Sequence, residues 1–179
     1  SGLVVYHGYS YLGSNNLAYG NRLTKNVHGI VIASGNNNTF FANELLNNSV
    51  GIKIEPSLFH TDESEMNATF HHNNLIGSIQ QVSVEASAAV FFDAHREGNY
   101  WSDYTGNDQN HDGIGDTPYI INNEQKDNYP LMAPFDISNA SLSDAFPDTS
   151  PRHESHPFPT TLAIGAVIVA SFVGLGLLA

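Results

Sequence analysis

Asp108, Asn110, Asp112 and Asp116 place side-chain oxygens at positions 1, 3, 5 and 9 of a short loop whose sixth residue is Gly113. Odd spacing turns alternate side chains toward one centre, and the glycine permits the sharp bend. Ile114, at position 7, adds a main-chain carbonyl. An oxygen-only set of this kind suits a hard cation, Ca2+ above all. Position 12 is Tyr119, where a complete loop of this type carries a bidentate Glu, and no helical pattern flanks the segment. A further oxygen has to come from elsewhere, with Asp103 and Asp127 as candidates. The expected role of the ion is structural, and a purely polar Asp/Asn/Gly turn is the alternative reading.

Other chemistries find less support. The chain has no cysteine, which removes disulfides, Cys-ligated zinc and thiol nucleophiles. Six Lys and Arg against a net charge of −12 argue against a nucleic-acid partner, because phosphate binding needs clustered cations. Glycoside hydrolysis needs two carboxylates at a defined separation. Glu55, Asp62, Glu63 and Glu65 form the local acidic cluster, which a solvated loop explains better. No catalytic residue can be named on this basis. His71 and His72 are neighbours, so on a strand they face opposite ways and do not chelate together. His7 and His28 both precede a repeat glycine and are expected in one column. Tyr9, Tyr11 and Tyr19 could stack on sugars, although two of them fall at inward repeat positions. Asn37, Asn47, Asn67 and Asn139 each begin an Asn-X-Ser/Thr sequon.

The elements that position these groups follow from an internal repeat. His28-Gly29-Ile30-Val31-Ile32 matches Val50-Gly51-Ile52-Lys53-Ile54, and Asn21-Arg22-Leu23 matches Asn43-Glu44-Leu45, at an offset of ~22 residues. Upstream, His7-Gly8-Tyr9-Ser10-Tyr11 aligns with His28 to Ile32 at an offset of ~21 residues. Downstream, Asn38-Thr39-Phe40 and Leu45-Leu46 match Ala68-Thr69-Phe70 and Leu75-Ile76 after an insertion of about eight residues around Ser57 to Met66. Each repeat holds three short apolar pieces rich in β-branched and aromatic types, too short for helices. The leucine-rich motif is absent. The fold class expected is all-β: a right-handed parallel β-helix with three short strands per ~22-residue coil, stacked at ~4.8 Å. Ile30 then lies over Ile52, Ile32 over Ile54, and Leu23, Leu45 and Leu75 form an inward column. Asn21, Asn43 and Asn73 form an outward or corner ladder.

The domain plan has four parts. Residues 1–98 are coils, with an N-terminal portion expected to be missing because the first repeat opens mid-coil at Ser1 and no leader is present. Gln81 to Val84 and Ala89 to Phe92 read as a last, irregular coil. Residues 99–135 are an aromatic and Asp-rich cap over the open end. Residues 136–160, rich in Ser, Pro, Asp and His, read as a flexible linker. Residues 161–179 carry no charge and span ~28 Å as a helix, which suits one transmembrane segment. No Lys or Arg follows it, so charge does not set its orientation.

Asn99-Tyr100-Trp101-Ser102-Asp103-Tyr104, Asp112-Gly113-Ile114-Gly115-Asp116-Thr117-Pro118-Tyr119 and Asp127-Asn128-Tyr129-Pro130-Leu131 together resemble the C-terminal box of NosD-like β-helix proteins. That family is also described as carbohydrate-binding and sugar-hydrolysis β-helix proteins. The resemblance covers about Ser1 to Pro134 and implies a right-handed parallel β-helix outside the cytoplasmic membrane. Its members range from a copper-maturation factor to surface proteins of unknown role, so it implies no single activity. Copper would need soft or imidazole ligands, and Met66 and Met132 are isolated. Three functions stay open: a membrane-held ectodomain that binds a polysaccharide or surface partner, a carbohydrate-active enzyme with catalytic coils upstream, and a copper-maturation factor. An outward acidic pair one coil apart would favour the second, and a His or Met column the third.

Overall fold

The computed structural model describes residues 3–5, 14–55, 66–85 and 88–145. Its strands are β1 (Leu3–Val5), β2 (Leu17–Tyr19), β3 (Arg22–Thr24), β4 (His28–Ile32), β5 (Asn38–Phe41), β6 (Glu44–Leu46) and β7 (Val50–Ile54). These continue as β8 (Asn67–His71), β9 (Asn74–Ile76), β10 (Gln80–Val84), β11 (Ala89–Phe91), β12 (Tyr100–Trp101), β13 (Tyr119–Ile120) and β14 (Lys126–Asp127). They form three four-stranded parallel sheets in the orders β1-β4-β7-β10, β2-β5-β8-β11 and β3-β6-β9-β12. Every third strand therefore returns to the same sheet, the arrangement of a parallel β-helix.

The expected columns are present. Ile30 pairs with Ile52 and Ile52 with Val82, while Ile54 pairs with both Ile32 and Val84. Leu23, Leu45 and Leu75 are in register, and Trp101 stands next in that column. Phe40 stacks on Phe70 at 4.6 Å and Phe70 on Phe92 at 5.4 Å, near-parallel in both cases. Identical or like side chains one coil apart meet face to face, so a sequence repeat becomes a packed core column. Gln80 to Val84 and Ala89 to Phe91 pair in regular register, so the coil read as irregular is ordered like its neighbours.

Two expectations change. β1 pairs Leu3 with Ile30, Val4 with Val31 and Val5 with Ile32, an offset of 27 (30 − 3), and not with the Tyr9-Ser10-Tyr11 run. Leu-Val-Val is the stronger strand segment, and it takes the place over Ile30 to Ile32. His7, and with it the column expected of His7 and His28, lies outside the described residues. The second change concerns the Asn ladder. Asn43 and Asn73 are fully buried, so the ladder runs inside the coil and not on its surface.

Each rung has the same chemistry. The Oδ1 of one Asn accepts the main-chain N–H and the Nδ2 of the Asn one coil earlier, all between 2.9 and 3.1 Å, from Asn21 through Asn43 and Asn73 to Asn99. The remaining Nδ2 proton donates to a main-chain carbonyl: Ala18 for Asn43, Phe40 for Asn73, and Phe70 and Phe92 for Asn99. A left-handed corner precedes the first three rungs and is filled by Gly20, Ala42 and His72 in turn, with φ of 66, 51 and 57°. A second corner column, Lys25-Asn47-Gly77, is also left-handed. Asn thus serves two separate roles, buried rung and, at Asn15, Asn37 and Asn47, left-handed corner.

Asp127 closes the ladder. It is fully buried, and its Oδ2 accepts from Asn99 N at 2.7 Å and Trp101 Nε1 at 2.8 Å, while Oδ1 accepts from Tyr129 N at 2.9 Å. A Cβ on Gly98 would overlap this carboxylate, which explains the glycine before Asn99. Trp101 stacks on Tyr119 at 4.2 Å and 8°, sealing the last coil. The segment read as a cap therefore starts as a strand of the third sheet and ends by plugging it.

The first residues of the stretch read as a linker are folded. Asn74 grips Phe135 in both directions, Phe135 N to Oδ1 and Nδ2 to Phe135 O, each 2.8 Å. A 3-10 turn (Ile137–Asn139) and the short helix α1 (Leu142–Ala145) follow. Phe135, Ile137, Ala140 and Ala145 pack against Phe41, Ala42 and Leu17, an apolar patch on the outside of the coil. Among the described residues no helix is long and apolar enough to cross a membrane, and Thr161 to Ala179 lie outside them.

Two stability measurements test the ladder. Asn73→Ala leaves several buried groups without partners, each costing about 1–3 kcal/mol, whereas Asn21→Ala, at the half-buried first rung described, removes one set. Urea unfolding is expected to rank Asn73→Ala far below Asn21→Ala, and equal midpoints would contradict the ladder's role. Burial pushes the Asp127 carboxyl up to about 6, against the hydrogen bonds from Asn99, Trp101 and Tyr129, which favour the anion. The folded state then holds its proton to higher pH than the unfolded chain. The stability from this group is full below about pH 4 and declines by about 3 kcal/mol in all as pH rises from there through about 6. Asp127→Asn does not titrate, so the parent's advantage over it should shrink between pH 4 and pH 7.

Candidate functional site

The 108–116 loop leaves the coil after β12 and returns before β13. It is tied down by main-chain bonds from Gly115 N to Pro130 O and Met132 N to Gly113 O, 2.8 and 2.9 Å. Tyr104 donates its hydroxyl to Thr117 O at 2.6 Å, and a Cβ on Gly106 or Gly115 would collide with its ring. Within the loop, Asp108 accepts the N–H groups of Asp112 and Gly113 at 3.2 and 2.9 Å, and Asp112 Oδ1 accepts Ile114 N at 2.9 Å. Asp116 accepts Gln109 N at 2.9 Å, and Asn110 donates to Asp112 Oδ2 at 2.9 Å. The carboxylates are folded onto the loop's own main chain, with His111 and Gly113 left-handed. Among the described residues no three His, Cys, Asp or Glu side chains converge as a ligand group.

The candidates for an additional oxygen are placed elsewhere. Asp127 is excluded because both of its oxygens are taken inside the core, at the end of the ladder. Asp103 accepts from Tyr119 Oη at 3.1 Å and Gln81 Nε2 at 3.3 Å. Burial, helped by Asp103, raises the Tyr119 hydroxyl well above its ordinary range, so it stays a donor. Asp103, Tyr104, Thr117, Pro118, Tyr119 and Ile120 line a shallow cleft of about 410 Å³ beside the loop.

The other residues singled out divide clearly. Met66 is buried in the core and Met132 stands apart on the surface, so no methionine column exists among the described residues. Asp62, Glu63, Glu65, Tyr9 and Tyr11 lie outside the described residues, and Tyr19 is partly exposed at the end of β2. Glu55 and Glu85, one coil apart, do form an outward acidic pair, but Lys53 lies between them, 2.8 Å from one and 3.6 Å from the other. The hydrogen bond to Glu55, with both carboxylate charges, raises the Lys53 pKa and keeps it cationic.

His71 and His72 overturn the expectation that neighbours on a strand point apart. β8 ends at His71, and His72 takes the left-handed corner, φ 57°. The turn brings the two Nδ1 atoms to 3.0 Å. His72 Nε2 meets Glu97 Oε2 at 2.8 Å. Glu97 is delivered by a two-residue hairpin, Ala94 to Glu97, whose central His95 and Arg96 are both left-handed. Burial, and secondarily His72 and His95, lower the His71 pKa to about 4. This cluster was not legible in spacing, because it depends on a corner residue that breaks strand alternation.

Comparison with known proteins agrees with the fold. Two proteins, each called probable ABC transporter binding protein NosD, match. The one from Pseudomonas aeruginosa is 32% identical over 122 residues, 67% of this chain, and the one from Stutzerimonas stutzeri is 39% identical over 85 residues, 48% of this chain. The chain spans only 28% and 18% of their respective lengths. No family model and no solved structure matches. Over part of its length, then, the chain is a distant homologue of NosD, built as stacked parallel β-coils.

Proposed function

We propose that this chain is an extracytoplasmic, right-handed β-helix that acts as a non-catalytic binding ectodomain, held at a membrane by Thr161 to Ala179. The partner class is a polysaccharide or another surface component, offered the flat outer faces of the coils. The observation that carries the non-catalytic reading is Lys53 between Glu55 and Glu85. Glycoside cleavage needs two carboxyl groups free to act on the substrate, and here both carboxylates are engaged by one ammonium. The alternative, a carbohydrate-active enzyme with catalytic coils upstream, is favoured by that same pair, one coil apart. The two part in one assay: the full chain in detergent should bind a polysaccharide without cleaving it, and Glu55→Gln/Glu85→Gln should leave binding unchanged. Cleavage that this double variant abolishes would establish the enzyme instead.

A structural Ca2+ in the 108–116 loop belongs to the same proposal. Asp108, Asn110, Asp112 and Asp116 with the Ile114 carbonyl are a hard-oxygen set, and Asp108 already accepts the main-chain groups of positions 5 and 6. The ion would draw these oxygens together and fix the loop against Pro130 and Met132. Ca2+ at about a hundredfold over its dissociation constant should add about 2.7 kcal/mol to stability. Chelator should lower the melting temperature, and Asp108→Asn/Asp112→Asn should abolish the difference. A melting temperature indifferent to both Ca2+ and chelator would exclude the ion.

A further inference from the structure

A pocket of about 330 Å³ lies where the second sheet meets the folded-back C-terminal segment, lined by His71, His72, His95, Glu97, Phe135 and Ser143. It is separate from the 108–116 loop and independent of the reading above. The geometry points to a binding site for a borderline divalent transition cation, held by Nδ1 of His71 and Nδ1 of His72.

The case begins with the distance. Two imidazole nitrogens 3.0 Å apart cannot both keep a proton between them. At most one proton fits there, and the second nitrogen offers a lone pair. A cation at the usual imidazole bond length of ~2.0–2.1 Å spans that gap with an N–metal–N angle of about 94°, within the range of ordinary cis ligands. Aromatic neighbours pack against both rings. Phe41 lies 4.9 Å from His71 and 5.5 Å from His72, and Phe135 lies 4.6 Å from His72.

The surrounding groups set the protonation that ligation requires. Glu97 accepts from His72 Nε2, which places the His72 proton on that nitrogen and leaves Nδ1 as the coordinating atom. A carboxylate on the far nitrogen is the usual support for a metal-bound histidine. A neutral imidazole is the ligating form, and His71 is buried beside Phe41. Imidazole pairs prefer Zn2+, Ni2+ or Cu2+ over the hard cations suited to the loop. Two protein ligands leave the other positions to solvent, so the site exchanges its ion readily. Phe135 and Ser143 cover the pocket, which links occupancy to the segment that the Asn74 clamp folds back.

Zn2+, which imposes no geometry of its own, is the probe. The full chain in detergent, with the loop saturated by Ca2+, is titrated with Zn2+ at pH 7.5, by calorimetry and by the 15N shifts of the histidine side chains. One site is expected, with the Nδ1 signals of His71 and His72 moving together. His72→Asn, which suits the left-handed corner, should weaken binding at least tenfold, and Glu97→Gln about tenfold. His111→Gln, on the exposed loop, should change nothing. Undiminished affinity in His72→Asn, shifts at Nε2 in place of Nδ1, or no binding at millimolar Zn2+ would each overturn the site. The 15N shifts of the parent protein decide the question even if a variant fails to fold.

Discussion

A line of amide hydrogen bonds inside an apolar tube is the constraint on which the described structure rests. Asn21, Asn43, Asn73 and Asn99 each sit where three sheets leave a corner, and each satisfies main-chain groups that strand pairing does not reach. An unpaired amide there would cost more than the bond contributes, so no rung can be dropped or shifted by one residue. Register in the neighbouring sheets follows. With Asn43 over Asn73, Leu45 falls on Leu75 and Phe40 on Phe70. Insertions are tolerated only between strands, as between β7 and β8, where the offset rises to 30 without disturbing the columns.

The end of such a ladder poses a separate problem, since the last amide needs a partner that starts no new coil. Asp127 supplies it. A carboxylate accepts from Asn99, Trp101 and Tyr129 and demands no onward acceptor, so the series stops there. The same residues that resemble a family box, Asn99-Tyr100-Trp101 and Asp127-Asn128-Tyr129, thereby acquire a mechanical reason. Trp101 extends the leucine column and stacks on Tyr119, while the loop with its clustered oxygens hangs from this plug.

The outside of the coil is less uniform than its core. Lys53 joins Glu55 and Glu85 across coils, and Arg22 pairs with Glu44, so surface charges are matched along the axis at these places. One face is different. Phe41 and Ala42 point outward and are covered by Phe135, Ile137 and Ala145. Asn74 makes that cover possible by gripping the main chain of Phe135. The chain therefore leaves the β-helix along its side, over the two histidines.

Much was determined by the sequence alone. A repeat of apolar triplets and Asn, read at its own offset, specified the parallel coils, the Ile, Leu and Phe columns and the place of the insertion. That works because neighbours along the axis of a solenoid are neighbours by a constant count of residues. That Asp108, Asn110, Asp112 and Asp116 share one turn was legible for the same local reason, since they lie within nine consecutive positions. Only the tertiary structure decided what Asp127 does, because burial at the end of the ladder turns a candidate surface ligand into a core acceptor. It also paired β1 with Ile30 at an offset of 27 and set the Asn rungs inward. His71 and His72 show the reason most directly. Alternation along a strand would part them, and one left-handed corner, set by the stacking of Gly20, Ala42 and His72, brings their rings together.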